Sequence, residues 1–184
     1  MRFFKTPIDG AYRIELDAHA DERGLFARTF CRDEFREHGL FDRIAQENVS
    51  FNVRKGTLRG MHLQNAPHGE DKVVRCTRGA VFDVAIDLRA SSHTYLHWHG
   101  IELSADARTM FYLPKGIAHG FLTLTAETEL HYLMSQPYVP GYGRGVRWND
   151  PAFAINWPFE PQVISDRDAG WPDWTDIRGS IVTE

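Results

Sequence analysis

The segment Leu58-Arg59-Gly60-Met61-His62-Leu63-Gln64 crowds a guanidinium, a glycine, an imidazole and an amide onto what reads as one short strand. A solvent-facing strand has no need of that mixture. His62 can serve as a general base near neutral pH, as a metal ligand, or as a satisfied core histidine. The groups that would let it act as a base lie elsewhere: His119, an isolated Lys72 at the start of an apolar run, Tyr132, Tyr138, and the late segment Ser165-Asp166-Arg167-Asp168. A carboxylate beside an imidazole fixes its tautomer and stabilises the imidazolium. A buried lysine near a carbonyl oxygen stabilises the enolate formed when an adjacent proton leaves, and a tyrosine on the opposite face can return that proton. Each residue alone is more often structural. The set, with Arg23, Arg59, Gln46 and Asn48 in nearby strand segments, favours acid–base catalysis.

Metal and nucleophile readings fare worse. The metal centre of a cupin barrel wants two histidines one residue apart, a carboxylate, and a later histidine after a Pro-x-Gly turn. Pro114-Lys115-Gly116 and His119 fit the later half, and Glu70 could supply a carboxylate. Gln64 stands where the second histidine should be, and an amide is a poor transition-metal ligand. His97-Trp98-His99 has the spacing but lies on a polar-alternating run that reads as surface. No metal is expected. No Gly-x-Ser-x-Gly elbow or Gly-rich phosphate loop occurs, and Cys76 in an apolar strand reads as a structural thiol.

The elements that must position these groups are mostly strands. Short alternating or apolar runs cover Ala11–Leu16, Leu25–Thr29, Glu47–Val53, Leu58–Gln64, Lys72–Arg78, Ala80–Leu88, His97–Leu103, Arg108–Leu113, His119–Thr125 and Glu129–Ser135, split by Gly, Pro, Asn and Asp. The best helix candidate is Arg32–His38, with Asp33 and Glu34 in its first turn and Gly39 as its stop. The pattern predicts an all-β antiparallel sandwich or jelly-roll barrel. In the Ala80–Leu88 run, Asp83 and Asp87 share a face opposite Phe82, Val84 and Ile86, and are expected to look out of the main core, with a role for Asp83 in orienting a neighbour as the alternative. Beyond Ser135 the chain is irregular and aromatic, the composition of a segment that covers a surface or a site.

At 184 residues the chain fits one domain, 1–184. A formal charge of -4 without a Lys/Arg cluster excludes a nucleic-acid surface. No apolar run reaches the roughly 18 residues a membrane helix needs, and the start lacks the apolar core of a signal peptide. A cytoplasmic protein follows, with Cys31 and Cys76 as buried reduced thiols.

Longer motifs carry a resemblance. Arg23-Gly24-Leu25-Phe26, Gln46-Glu47-Asn48-Val49-Ser50, Lys55 through Gln64, Lys72-Val73-Val74-Arg75, Gly79 through Val84, Pro114 through Phe121, Trp148-Asn149-Asp150-Pro151 and Ser165 through Asp168 occur in family order along nearly the whole chain. The sequence resembles the dTDP-4-dehydrorhamnose 3,5-epimerases, which act on nucleotide-linked 4-keto sugars. The resemblance implies a cupin-type jelly roll with short helices and an irregular C-terminal segment, a homodimer, and no metal or organic cofactor. It implies that His62 removes the C3 and C5 protons with Asp168 as dyad partner, that Tyr132 is the acid on the other face, and that Lys72 stabilises the enolate at C4. Arg59 would bind the diphosphate, Arg23 and Phe26 would reach in from the partner subunit, and Gln46, Asn48, His119 and Tyr138 would line the pocket.

Three features depart from a simple transfer. Strict alternation sets Arg59 and His62 on opposite faces, so a bulge at Gly60 is expected. Arg28 stands where relatives often carry glutamate, which leaves dTDP, CDP or GDP open. The loop Asn65–Asp71 has no assigned job. Epimerisation at one centre only, a cupin-like metalloenzyme, and a non-catalytic sugar-nucleotide-binding module are the competing readings.

Overall fold

Each of the ten runs singled out in the sequence overlaps a strand in the computed structural model, which describes residues 1–183. The last position of the 1–184 span lies outside the described residues. In chain order the first half holds β1 (Arg2–Lys5), β2 (Tyr12–Glu15), β3 (His19–Asp21), β4 (Gly24–Phe26), α1 (Arg32–Glu37), β5 (Gln46–Asn52), β6 (Thr57–Gln64), β7 (Lys72–Arg78) and β8 (Ala80–Asp87). The second half holds β9 (Trp98–Ser104), β10 (Met110–Leu113), β11 (Ile117–Thr123), β12 (Thr128–Met134), β13 (Gly143–Gly145), β14 (Val163–Ile164), α2 (Asp166–Ala169) and α3 (Trp174–Ile177).

Two sheets face each other as a cupin-like jelly roll. One has the order β1-β2-β10-β7-β12-β5, the other β13-β6-β11-β8-β9, and β3 and β4 form a separate hairpin. Alternation sends Val74, Cys76 and Leu130 of the first sheet against Val81, Ala85 and Phe121 of the second, all nearly or fully buried. Each sheet also has a covered outer face. Phe35 of α1, fully buried, packs with Val73, Met110 and Leu133 on the first, and its burial is worth roughly 2–3 kcal/mol. On the second, Phe153 and Trp174 of the C-terminal segment close over Met61, Val84 and Ile86.

That second cover corrects the expectation for Asp83 and Asp87. Both are fully buried. The apolar face of β8 lies under the C-terminal segment, so the odd positions face the space between the sheets. Asp83 meets His119 there, which is the orienting role left as the alternative. Asp87 accepts from the Arg89 guanidinium (2.7 Å) and from the hydroxyls of Ser92 (2.6 Å) and Thr94 (2.7 Å). A carboxylate can replace an apolar residue in a strand core when every lone pair finds a donor.

Three further expectations are amended. The C-terminal segment is a cover, as expected, but it is not structureless: it carries β13, β14, α2 and α3. Cys76 is buried, whereas Cys31 is only partly so, and both are free. His97 is exposed as read, but His99 is half-buried edge-on to Phe111 at 6.3 Å, and that burial lowers its imidazole pKa. Among the described residues no helix is long and apolar enough to cross a membrane.

Candidate active site

One mouth of the sandwich opens as a pocket of about 490 Å³, lined by both sheets and by the C-terminal segment. The first sheet supplies Gln46, Asn48, Lys72 and Tyr132. The second supplies Arg59, His62 and His119, and the later chain adds Tyr138 and Asp168. Every site residue read from the sequence is therefore at this one pocket, except Arg23 and Phe26. Those two lie on the β3–β4 hairpin, with the Arg23 side chain 85% exposed and paired to Asp21 and Phe26 77% exposed.

Arg59 and His62 share the pocket because β6 bulges. His62 pairs with His119 and Arg59 with Phe121, so three steps along β6 match two along β11. Gly60 lies inside that extra step with φ +132, a value L side chains rarely adopt. A Cβ there would lie 2.5 Å from Gly120 Cα and 2.9 Å from the His119 carbonyl oxygen. Only glycine permits both the turn and the close approach.

Asp168 reaches His62 through two small elements that the sequence did not announce. Strand β14 pairs in parallel with the start of β6, Val163 to Thr57 and Ile164 to Leu58. The chain then enters α2, whose N-cap Ser165 accepts from the Asp168 backbone N–H at 3.1 Å. Asp168 Oδ1 lies 2.7 Å from His62 Nε2, and Oδ2 accepts from the Gly60 backbone N–H at 3.3 Å. Burial alone would raise the Asp168 carboxyl, but the hydrogen bond and charge of His62, the Gly60 amide and Arg167 bring it below its ordinary value. An ionised carboxylate only accepts, so Nε2 carries the shared proton and Nδ1 keeps a lone pair with no partner among the described residues. Trp171 stands edge-on to the imidazole at 6.1 Å. Gly145, the register partner of His62, leaves room for that indole.

Lys72 Nζ pairs with Glu70 Oε1 at 2.7 Å and donates to the His62 carbonyl oxygen at 3.3 Å. Tyr132 stands edge-on to His119 at 6.0 Å. Burial, then the Asp83 charge, push its phenol well above the ordinary tyrosine value, with Arg59 opposing. His119 Nε2 lies 2.9 Å from Asp83 Oδ1. Burial raises the Asp83 carboxyl and His119 opposes that rise. Arg59 Nε donates to Asn52 Oδ1 at 2.8 Å, which fixes the root of its guanidinium.

Gln64 is a clamp. Its amide donates to the carbonyls of His68 (3.0 Å) and Pro137 (3.2 Å) and accepts from the Val139 N–H (2.7 Å). Both amide atoms are thereby used to hold the loops beside the pocket. Gln46 accepts from the Tyr138 N–H at 3.0 Å and donates to Asn48 at 2.9 Å, tying β5 to the same segment. Sequence reasoning passed over Arg144 and Arg167 as pocket residues and weighed Glu70 only as a metal ligand. For Glu70 a signal existed: it stands two positions before Lys72.

Three comparisons with known proteins bear on this pocket. A family model described as dTDP-4-dehydrorhamnose 3,5-epimerase matches residues 5–176. The dTDP-4-dehydrorhamnose 3,5-epimerase of Methanothermobacter thermautotrophicus is 46% identical over 174 residues, covering 92% of each chain. The dTDP-4-dehydrorhamnose 3-epimerase of Streptomyces niveus is 43% identical, covering 91% of this chain and 81% of its own. Among solved structures, the dTDP-6-deoxy-D-glucose-3,5-epimerase of Legionella pneumophila in complex with dTDP-4-keto-L-rhamnose superposes with a TM-score of 0.92 at 35% identity, over 100% of this chain and 97% of that one.

Proposed function

The chain belongs to the dTDP-4-dehydrorhamnose 3,5-epimerase family and is an isomerase, and on that premise we propose that it converts dTDP-4-dehydro-6-deoxyglucose to dTDP-4-dehydrorhamnose by inverting C3 and C5. The observation that carries the reading is the His62–Asp168 pair, with Nδ1 unengaged among the described residues, in one pocket with Lys72 and Tyr132.

The chemistry follows from the ketone. A C4 carbonyl acidifies the protons on both flanking carbons, so one base and one cation serve two centres. His62 Nδ1 takes a proton, and the C–H electron pair moves into the carbonyl to give an enolate. The Lys72 ammonium, with a donor to spare beyond Glu70 and the His62 carbonyl, holds the oxyanion. The Tyr132 hydroxyl returns a proton from the opposite face, which inverts the carbon. Its raised pKa keeps the phenol protonated until then. Exchange with solvent resets His62 and Tyr132 before the second centre reacts. Arg59 suits a diphosphate through its forked donors, and Gln46, Asn48, His119 and Tyr138 complete the walls.

A homodimer belongs to the same reading, with Arg23 and Phe26 entering the partner's pocket. Its support is the β3–β4 hairpin, which joins neither sheet and carries both residues exposed. Strand β5, at the edge of its sheet, likewise leaves Val49 and Phe51 exposed, with Val53 exposed just beyond it, an edge that calls for a partner.

Incubation with dTDP-4-dehydro-6-deoxyglucose in deuterated water tests the proposal: deuterium enters both C3 and C5. No label at either carbon rejects it. The Streptomyces niveus relative, named as a 3-epimerase, supports one second reading, inversion at C3 alone, for which label enters C3 only. Running the CDP- and GDP-linked sugars in parallel tests the nucleotide left open by Arg28.

A further inference from the structure

The base, the acid and the nucleotide contacts leave one feature of the pocket unused. Glu70 and Lys72 form an ion pair at 2.7 Å with side chains only 4% and 9% exposed. The second oxygen of Glu70, Oε2, is buried and has no hydrogen-bond partner among the described residues, although the residue lines the pocket. Buried carboxylate oxygens are seldom left without a donor, and an orphan beside a ligand cavity marks a place where the ligand supplies one.

The surroundings hold that oxygen in place. Gln64 grips the carbonyl of His68 at 3.0 Å. Asp71, next to Glu70, accepts the hydroxyls of Tyr112 and Ser135, each at 2.9 Å. Asn65, at the other end of the loop, donates to the Ser180 carbonyl at 2.7 Å. The loop is thus pinned on both sides of Glu70.

We propose that Glu70 is a specificity-determining residue that accepts, through Oε2, the hydroxyl on C3 of the bound 4-keto sugar. This rests on the reading above, in which Lys72 holds the C4 oxygen. The two carbons flanking that carbonyl differ: C3 carries a hydroxyl, while C5 carries the ring oxygen and a methyl group. Only C3 offers a proton donor. A carboxylate in contact with the ammonium at the carbonyl oxygen is therefore within reach of the C3 hydroxyl and has nothing to accept on the C5 side. Inversion at C3 moves the hydroxyl, so Glu70 senses configuration at that centre and not at C5. The loop Asn65–Asp71 then has a function, which is to carry this acceptor.

The test compares wild type with Glu70→Gln, which keeps an oxygen for Lys72 but replaces the free acceptor with a nitrogen that cannot accept. Exchange at C3 and at C5 is followed by NMR in deuterated water with dTDP-4-dehydro-6-deoxyglucose, and dTDP affinity is measured alongside. The expected result is unchanged dTDP affinity with C3 exchange reduced about tenfold or more relative to C5. An unchanged C3-to-C5 ratio overturns the inference. So does an equal loss of both exchanges together with dTDP binding, which marks a structural ion pair. If the variant does not fold, wild type is assayed with the 3-O-methyl sugar nucleotide, which cannot donate; the same fall in the C3-to-C5 ratio is expected, and an unchanged ratio overturns the inference. Absence of exchange at both carbons in wild type with the parent sugar rejects the epimerase reading and this inference with it, whereas an unchanged ratio rejects this inference alone.

Discussion

Asp168 Oδ1 lies 2.7 Å from His62 Nε2, although 106 positions separate the two residues in the chain. A two-residue parallel strand and a four-residue helix close that distance. The Ser165 cap and the Gly60 amide then fix the carboxylate from both sides. An imidazole held at one nitrogen presents the other in one direction, which is what a base serving two carbons of one sugar ring requires.

Asp168→Asn therefore lowers turnover by about 10²- to 10⁴-fold while dTDP binding persists, because the amide no longer stabilises the imidazolium and can hold the wrong tautomer. His62→Ala abolishes exchange at both carbons with the same retention of binding. Titration calorimetry with dTDP and NMR of deuterium incorporation check the two halves. Turnover unaffected by either substitution would remove His62 and Asp168 from the reaction.

Gly60→Ala unfolds the protein or weakens it by several kcal/mol, since the new Cβ meets Gly120 Cα at 2.5 Å in a backbone region closed to alanine. Gly143→Ala is the control. Its Cβ would meet nothing closer than Arg167 Nη2 at 3.5 Å, ordinary contact. Urea unfolding of both variants checks the contrast, and equal midpoints would refute the role given to Gly60.

Much of this site could be read from the chain, for identifiable reasons. Lys72, Tyr132 and His119 sit in strands whose alternation is visible, and Gly60 announced the bulge that alternation demanded. Asp83 was misread because both faces of β8 are buried, so alternation could not say which was the core. The α2 helix escaped because four residues are too few for any periodicity, even with its Ser165 cap in plain view. Gln64 was noticed for the ligand it replaces, whereas its work as a clamp depends on Pro137 and Val139, whose proximity no local pattern records.

Asp83→Asn is expected to stabilise the fold at neutral pH. Burial raises the folded pKa of this carboxyl above its unfolded value of about 3.9. The stability linked to Asp83 is thus fully present below the unfolded pKa and is lost as pH rises through the folded one. Asparagine removes that loss while its amide oxygen still accepts from His119. Thermal midpoints of variant and wild type should differ at pH 7, with the variant higher, and converge below about pH 4. A difference independent of pH would contradict the assignment.

The hairpin carrying Arg23 and Phe26 decides whether the pocket is complete within one chain. Among the described residues Arg23 pairs only with its neighbour Asp21, and Phe26 is 77% exposed, an unfavourable state for an aromatic ring unless a second surface covers it. If the pair enters a partner's pocket, Arg23→Ala and His62→Ala damage the same active site from different chains. Each variant alone is then impaired at every site. In a mixed population half the dimers are hybrids, and each hybrid holds one site with both residues intact. Co-expressed variants should recover about a quarter of wild-type activity, with a dimer mass by light scattering. Should the mixture show only the sum of the separate activities, Arg23 acts within its own chain or not at all, and the exposed Phe26 would need another explanation.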